Sequence, residues 1–239
     1  MIPKVIHYCW FGGNPLPKSA QKCIASWRKY LPDYEIKEWN ERHFDVNIIP
    51  YTAEAYKAKK YAFVSDYARF WILYKYGGLY FDTDVEVIKN MDDIIAKGPF
   101  MGCENEAKAG ATPAQLGVAP GLGLGVYPGL ELYGEILDIY KDKHYILPDG
   151  SFSTDTVVTI TTEFLCKYGM KNTDKVQEIA GVFIYPKEYF CPKDYTTGKM
   201  NITENSYSIH WYTASWSSYS QKLKKIIWKI CLKFKIINK

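Results

Sequence analysis

Short apolar and aromatic runs alternate along this chain with amphipathic stretches, and that alternation predicts an α/β fold. Val5-Ile6-His7-Tyr8-Cys9-Trp10 reads as a first strand running into Phe11-Gly12-Gly13 and a proline-containing turn. Lys18–Tyr30 reads as a helix with Ile24 and Trp27 inward, ended by Leu31-Pro32-Asp33. Tyr34–Trp39 alternates as a half-exposed strand, and residues 51–60 follow as a polar-faced helix. From Val64 to Tyr76 a further helix carries Val64, Ala68, Trp71 and Ile72 on one face, and Gly77-Gly78 stops it. Leu79-Tyr80-Phe81 reads as a buried strand, Val85–Ile88 as its continuation, and Phe100–Glu104 as another strand. Asp92-Asp93 reads as a helix N-cap. Residues 107–128 are rich in Gly, Ala and Pro and include Gly121-x-Gly-x-Gly125; no strand leads in and no Lys-Ser/Thr follows. They read as a loop rather than a phosphate cradle. Helices are expected over Leu130–Lys141 and Val157–Tyr168, and a strand over Phe183–Pro186.

The candidate chemistry lies between Ser65 and Asp84. Carboxylates at i and i+2 on a regular strand point the same way, so Asp82 and Asp84 are expected to converge on one cation at the strand's end. Such hard oxygen ligands suit Mg²⁺ or Mn²⁺, which complete their shell with water and substrate phosphate. Asp66 and Arg69 share a helix face one turn earlier. They read either as an intrahelical ion pair or as a carboxylate for sugar hydroxyls beside a cation for phosphate. Trp10 stands at the end of the first strand, where ligands of doubly wound sheets collect; it would stack on a nucleotide base or cap the core. His7 reads as structural.

Ser65-Asp66-x-x-Arg69 followed by Leu73-Tyr74-x-x-Gly77-Gly78-x-Tyr80-x-Asp82-x-Asp84 resembles the sugar-binding region of glycosyltransferase family 32. That family includes capsular polysaccharide glycosyltransferases and yeast mannosyltransferases, and it is related to the large clostridial glucosylating toxins. The opening Ile2-Pro3-x-x-Ile6-His7-x-x-Trp10-x-Gly12 and the closing His210-Trp211-x-x-x-Ser215-Trp216 resemble the family's two end motifs. The resemblance implies a GT-A-type nucleotide-diphospho-sugar transferase, with a Rossmann-like mixed central sheet flanked by helices. It also implies a nucleotide-sugar donor, Mn²⁺ or Mg²⁺, and retention of anomeric configuration. On this reading Asp84, Asp82 and His210 hold the metal. Trp10, Ser65, Asp66, Arg69 and Asp82 bind the donor, and His210, Ser215 and Trp216 close over its diphosphate, with the imidazole neutral. Asp66, Arg69, Asp82 and Asp84 form the catalytic set. Asp155 is expected to cap the 157–168 helix, with a proton-handling place in the acceptor cleft as the alternative. Family members carry an Asn-containing segment where this chain has residues 107–128, so that loop is a candidate for acceptor recognition.

The remaining composition narrows the setting. At 239 residues, 47% hydrophobic and 16% aromatic, the chain fits one sizeable α/β domain, expected over 1–218. A net charge of +4 conceals an asymmetry: seven lysines lie between Lys222 and Lys239, leaving 23 basic against 26 acidic residues before them. The weakly acidic body argues against nucleic acid as a partner. In the tail, 219–239, Leu223, Ile226, Ile227, Ile230, Phe234 and Ile237 fall at helical spacing among the lysines. A basic amphipathic helix of that kind is expected on an anionic membrane surface, or else packed on the body. Six scattered cysteines form no zinc signature, and the opening residues lack an apolar signal segment. The expectation is a cytoplasmic protein held peripherally at the inner face of the membrane, transferring hexose from UDP-hexose to a saccharide or lipid-linked acceptor for bacterial surface or capsular polysaccharide. The alternatives are an Asp-x-Asp phosphoryl-transfer hydrolase and a non-catalytic nucleotide-sugar-binding module.

Overall fold

The structure is a computed structural model and describes residues 1–213. Ser215, Trp216 and the basic tail lie outside the described residues. The elements in chain order are β1 (Val5–Cys9), α1 (Lys18–Tyr30), β2 (Glu35–Trp39), α2 (Pro50–Lys57), α3 (Tyr61–Tyr76), β3 (Gly78–Tyr80), β4 (Val85–Val87), α4 (Asp92–Lys97) and β5 (Phe100–Gly102). A 3₁₀ turn (Pro113–Leu116) precedes β6 (Leu124–Val126), α5 (Glu131–Lys141), α6 (Val157–Lys167), β7 (Gln177–Ile179), β8 (Val182–Tyr185), α7 (Lys187–Phe190) and β9 (Ser208–His210).

Seven strands form the central sheet in the order β2-β1-β3-β6-β5-β8-β7, and β4 pairs with β9 in a small second sheet. β1 is parallel to β2 and β3, and β5 to β8, while β6 runs antiparallel between β3 and β5. Alternate residues face opposite sides, so Leu79 and Phe81 join the core beneath α1 with Trp27, while Tyr80 joins the larger core under α3, α5 and α6. This is the mixed central sheet flanked by helices that was expected above, covered on both faces.

The central helix ends as its sequence predicts. Gly77 adopts φ 64° and its N–H bonds Leu73 O at 2.8 Å, a left-handed stop that only glycine takes without strain. α3 begins at Tyr61, three residues before the expected start, and α2 stops at Lys57. The larger correction concerns residues 107–128, which were expected to be loop throughout. They supply β6, in the middle of the sheet. A Cβ on Gly125 would sit 2.1 Å from the Phe100 ring, so glycine here makes room for an aromatic ring across the strand. A three-residue strand with glycine at its centre has no alternating pattern to read.

His7 is structural, as expected. Trp39 Nε1 can only donate, so it fixes His7 Nδ1 as acceptor at 2.9 Å, and His7 Nε2–H then donates to Gly77 O at 3.0 Å. Burial lowers its pKa to about 4. The folded value lies below the unfolded one, so this contribution to stability is present above pH 6.5 and is lost as pH falls through 4. His7→Gln, which keeps one donor and one acceptor, should flatten the decline of Tm between those pH values in thermal melts; an unchanged slope would contradict the assignment.

Candidate active site

α3 delivers Asp66 and Arg69 to the sheet's edge, one turn apart and both buried. Arg69 Nη2 lies 3.1 Å from Asp66 Oδ1 and 3.3 Å from Asp82 Oδ1, and Nη1 lies 3.5 Å from Asp82 Oδ2. Arg69 Nε donates to Ser65 O at 3.0 Å, and the Tyr80 hydroxyl donates to Asp82 Oδ1 at 3.1 Å. The helical pair is therefore one corner of a network that spans two elements. Burial lifts the Asp66 carboxyl to about 7 against the pull of Arg69. The guanidinium stays charged: burial opposes its charge, and Asp82 and Asp66 more than offset that penalty.

β3 ends at Tyr80, so Asp82 and Asp84 lie in the turn that follows rather than on a regular strand, and the expected convergence on one cation does not occur. Asp82 turns to Arg69. Asp84 turns away: its Oδ1 faces His210 Nε2 at 3.1 Å, while Oδ2 accepts from Thr213 N at 2.8 Å and Thr213 Oγ1 at 3.2 Å. Antiparallel pairing of β4 with β9 sets Val85 opposite His210 and so brings the two together. Burial would raise the Asp84 carboxyl, but the bonds from His210 and Thr213 hold it below the usual range. Burial likewise opposes charge on His210, yet the facing carboxylate lifts it to about 10. Facing that carboxylate, the ring favours its charged form, whereas the sequence reading takes it as neutral.

Asp84 and His210 nonetheless fit a divalent ion. Cis ligands of an octahedral ion with bonds of about 2.1 Å stand about 3 Å apart, the spacing these two atoms show. His210 Nδ1 is buried without a hydrogen-bond partner among the described residues, so a ring whose Nε2 faced a cation would keep its one remaining proton on Nδ1. No cluster of three or more acidic, histidine or cysteine ligands occurs among the described residues, leaving the rest of the shell to phosphate and water. Asp82 is committed to Arg69 and does not join that pair.

These groups line one cleft of about 900 Å³, with Trp10, Ser65, Asp66, Arg69, Asp82 and Asp84 all on its wall. That volume lies in the range of cofactor-sized ligand sites. Trp10 is half-buried and its Nε1 donates to Asn14 O at 2.6 Å, which holds the indole at the rim. Ser65 lends its backbone oxygen to Arg69 while its hydroxyl donates to Tyr61 O at 3.1 Å. Asp155 does not cap α6: Thr156 is the N-cap, accepting from Thr159 N at 3.1 Å, and Asp155 pairs with Lys143 at 2.6 Å, while its neighbours Thr156 and Val157 line the cleft. Asp92 and Asp93 occupy the first turn of α4 after Met91, and Asp93 accepts from the Tyr207 hydroxyl. Sequence reasoning passed over Thr213, Tyr80 and Gly121. Thr213 is three residues beyond His210, and that spacing was its one signal.

Gly121 packs against the network so closely that a Cβ there would lie 2.0 Å from Asp82 Oδ2 and 3.2 Å from Arg69 Nη1. Its O also accepts from Asp82 N at 3.1 Å. Gly121→Ala should displace the carboxylate, reduce donor turnover at least about tenfold and cost about 1–3 kcal/mol by overpacking. Steady-state kinetics and a melt measure both, and unaltered kcat/KM would show that Asp82 does not need this position.

The mixed sheet and the carboxylates beyond β3 agree with the α/β, GT-A-type class expected from the sequence. Residues 17–101 match the family model described as "Glycosyltransferase sugar-binding region containing DXD motif". Over 98 residues the chain is 34% identical to inositol phosphoceramide mannosyltransferase 3 of Schizosaccharomyces pombe, covering 39% of this chain and 27% of that one. Over 111 residues it is 32% identical to inositol phosphoceramide mannosyltransferase 1 of the same yeast, covering 42% and 33%. The chain therefore spans a third or less of the length of these two relatives. Among solved structures, a glycosyltransferase involved in the glycosylation of the major capsid of PBCV-1 gives a TM-score of 0.49 at 11% identity, over 95% of this chain and 100% of that one.

Proposed function

We propose that this protein is a metal-dependent, retaining hexosyltransferase that moves a sugar from a nucleotide-sugar donor to a saccharide or lipid-linked acceptor. One observation carries the reading: a buried Asp66–Arg69–Asp82 network and an Asp84–His210 pair share the wall of a single cleft. Asp84 and His210 would hold Mn²⁺ or Mg²⁺, which when bound neutralises a leaving diphosphate. Asp66 grips sugar hydroxyls, Arg69 bridges sugar and phosphate while holding Asp82 in place, and Trp10 offers a face for the base. In the transfer the acceptor oxygen bonds the anomeric carbon as the bond to phosphate oxygen breaks, and the acceptor's proton leaves on that phosphate. No enzyme nucleophile is required. The phosphoryl-transfer hydrolase needs a carboxylate oxygen free for attack, whereas each oxygen of Asp82 and Asp84 already faces a donor.

UDP-hexose is the preferred donor, with GDP-mannose as its rival because the curated relatives are mannosyltransferases by name. Synthesis of bacterial surface polysaccharide, with the 219–239 tail docked on the inner face of the membrane, is the proposed setting. Among the described residues no helix is long and apolar enough to cross a membrane.

Thermal shift against UDP, GDP, CDP and their sugars, with and without Mn²⁺, tests the proposal. At a hundredfold excess over Kd, a ligand should stabilise the fold by about 2.7 kcal/mol, or about 5–10 °C for a chain of this size. Absence of a shift with every nucleotide in folded protein would remove the reading, and a shift without turnover would favour the binding module.

A further inference from the structure

A second cavity of about 530 Å³ adjoins the cleft, and Glu104 and Val158 line both. Its wall is built from the end of β5, the 3₁₀ turn and the outer side of α6. Carboxylates, amides and hydroxyls dominate it: Glu104, Glu106, Glu163, Asn105, Gln115 and Thr159. Lys187 and Asp194, also on the wall, approach within 3.6 Å and offset each other's charge. No aromatic side chain and few apolar groups line it among the described residues. Glu104 is half-buried where the two cavities meet, and no described residue donates a hydrogen bond to its carboxylate. Among the described residues, therefore, no donor occupies its lone pairs at the junction. Gly117 faces it, and a Cβ there would lie 3.2 Å from Oε1.

Resting on the transferase reading, we propose that this cavity is the acceptor subsite, that it takes the hydroxyl-rich end of a neutral saccharide, and that Glu104 receives a hydrogen bond from an acceptor hydroxyl next to the reacting one. The chemistry of the wall selects that class. Sugar hydroxyls both donate and accept, which suits a lining of carboxylate, amide and hydroxyl groups. Four carboxylates against two lysines repel a phosphorylated head group, and an acyl chain would meet polar atoms that it cannot satisfy. The position completes the argument: a ligand here borders the cleft that holds Asp66, Asp82 and Asp84, so its hydroxyl can meet a donor sugar at the Glu104 junction.

The test follows nucleotide release from UDP-glucose and GDP-mannose in the presence of Mn²⁺, with and without neutral disaccharides or inositol phosphate. Saturable stimulation by a neutral disaccharide is expected. Ala114→Trp, which fills the cavity from its exposed rim, should raise the acceptor KM at least tenfold more than it raises the donor KM. Glu104→Gln should raise the acceptor KM in the same direction and provides a second arm should the tryptophan variant misfold in a melt. Equal effects on both KM values, stimulation by inositol phosphate alone, or donor hydrolysis that no neutral saccharide stimulates would each overturn the subsite. A protein that releases no nucleotide in any arm fails as a transferase, which separates that failure from this one.

Discussion

Asp84→Asn is expected to abolish the Mn²⁺-dependent response to nucleotide and to lower sugar transfer by about 10²–10³-fold, the scale on which removal of one preorganised electrostatic contact costs an enzyme. The substitution keeps the side chain's volume and an oxygen for Thr213, while it removes the charge that faces His210. No described neighbour can replace it. Asp82 and Glu86 are the nearest carboxylates in sequence; both oxygens of Asp82 are held by Arg69 and Tyr80, and Glu86 accepts from Trp211 Nε1. Asp84→Ala is a harsher version, because it also leaves the half-buried Thr213 N–H without its acceptor. A melt of each variant separates loss of chemistry from loss of fold. Retained Mn²⁺-dependent transfer in a folded Asp84→Asn protein would remove this residue from the metal site.

Arg69→Ala should be the most destabilising change in the site. It strips the one cation that faces two carboxylates among the described residues, one carboxylate buried, and breaking a buried pair from one side costs about 3–5 kcal/mol. For a chain of this length that corresponds to a fall in Tm of about 6–20 °C. Arg69→Lys should not rescue it, because one ammonium cannot span Ser65 O, Asp66 and Asp82 together. Replacing both members of the helical pair, Arg69→Met with Asp66→Leu, removes the buried charges instead of orphaning them and should recover much of the lost stability. Activity should stay absent in the double variant, since donor sugar and phosphate lose their partners. Recovered transfer would show that this network serves packing alone.

Much of the site was legible because it is local. Asp66 and Arg69 meet through one helical turn, Gly77 ends the helix in a conformation that glycine alone takes freely, and Leu79-Tyr80-Phe81 sorts its side chains to the two faces by strand alternation. Where the reading failed, it assumed that a local regularity continued. The strand rule placed Asp82 and Asp84 side by side, but β3 stops at Tyr80 and the turn that follows sends the two carboxylates to different partners. Asp155 beside Ser and Thr looked like a cap, yet Thr156 took the position and Asp155 found Lys143.

The sequence by itself determined the α/β class, the helix and strand that frame the site, and the identity of the residues Trp10, Asp66, Arg69, Asp82, Asp84 and His210 that line the cleft. Tertiary structure alone decided three things. β6 became a central strand because Gly125 leaves room for the Phe100 ring, a constraint set by a neighbour 25 positions away. His210 came to face Asp84, 126 residues earlier in the chain, because β9 pairs with β4. Glu104 came to stand between two cavities because β5, the 3₁₀ turn and α6 meet there. Periodicity records which side of its own element a residue faces. Which element packs against that side is settled by backbone pairing and ring packing between distant segments, and those interactions leave no local pattern in the chain.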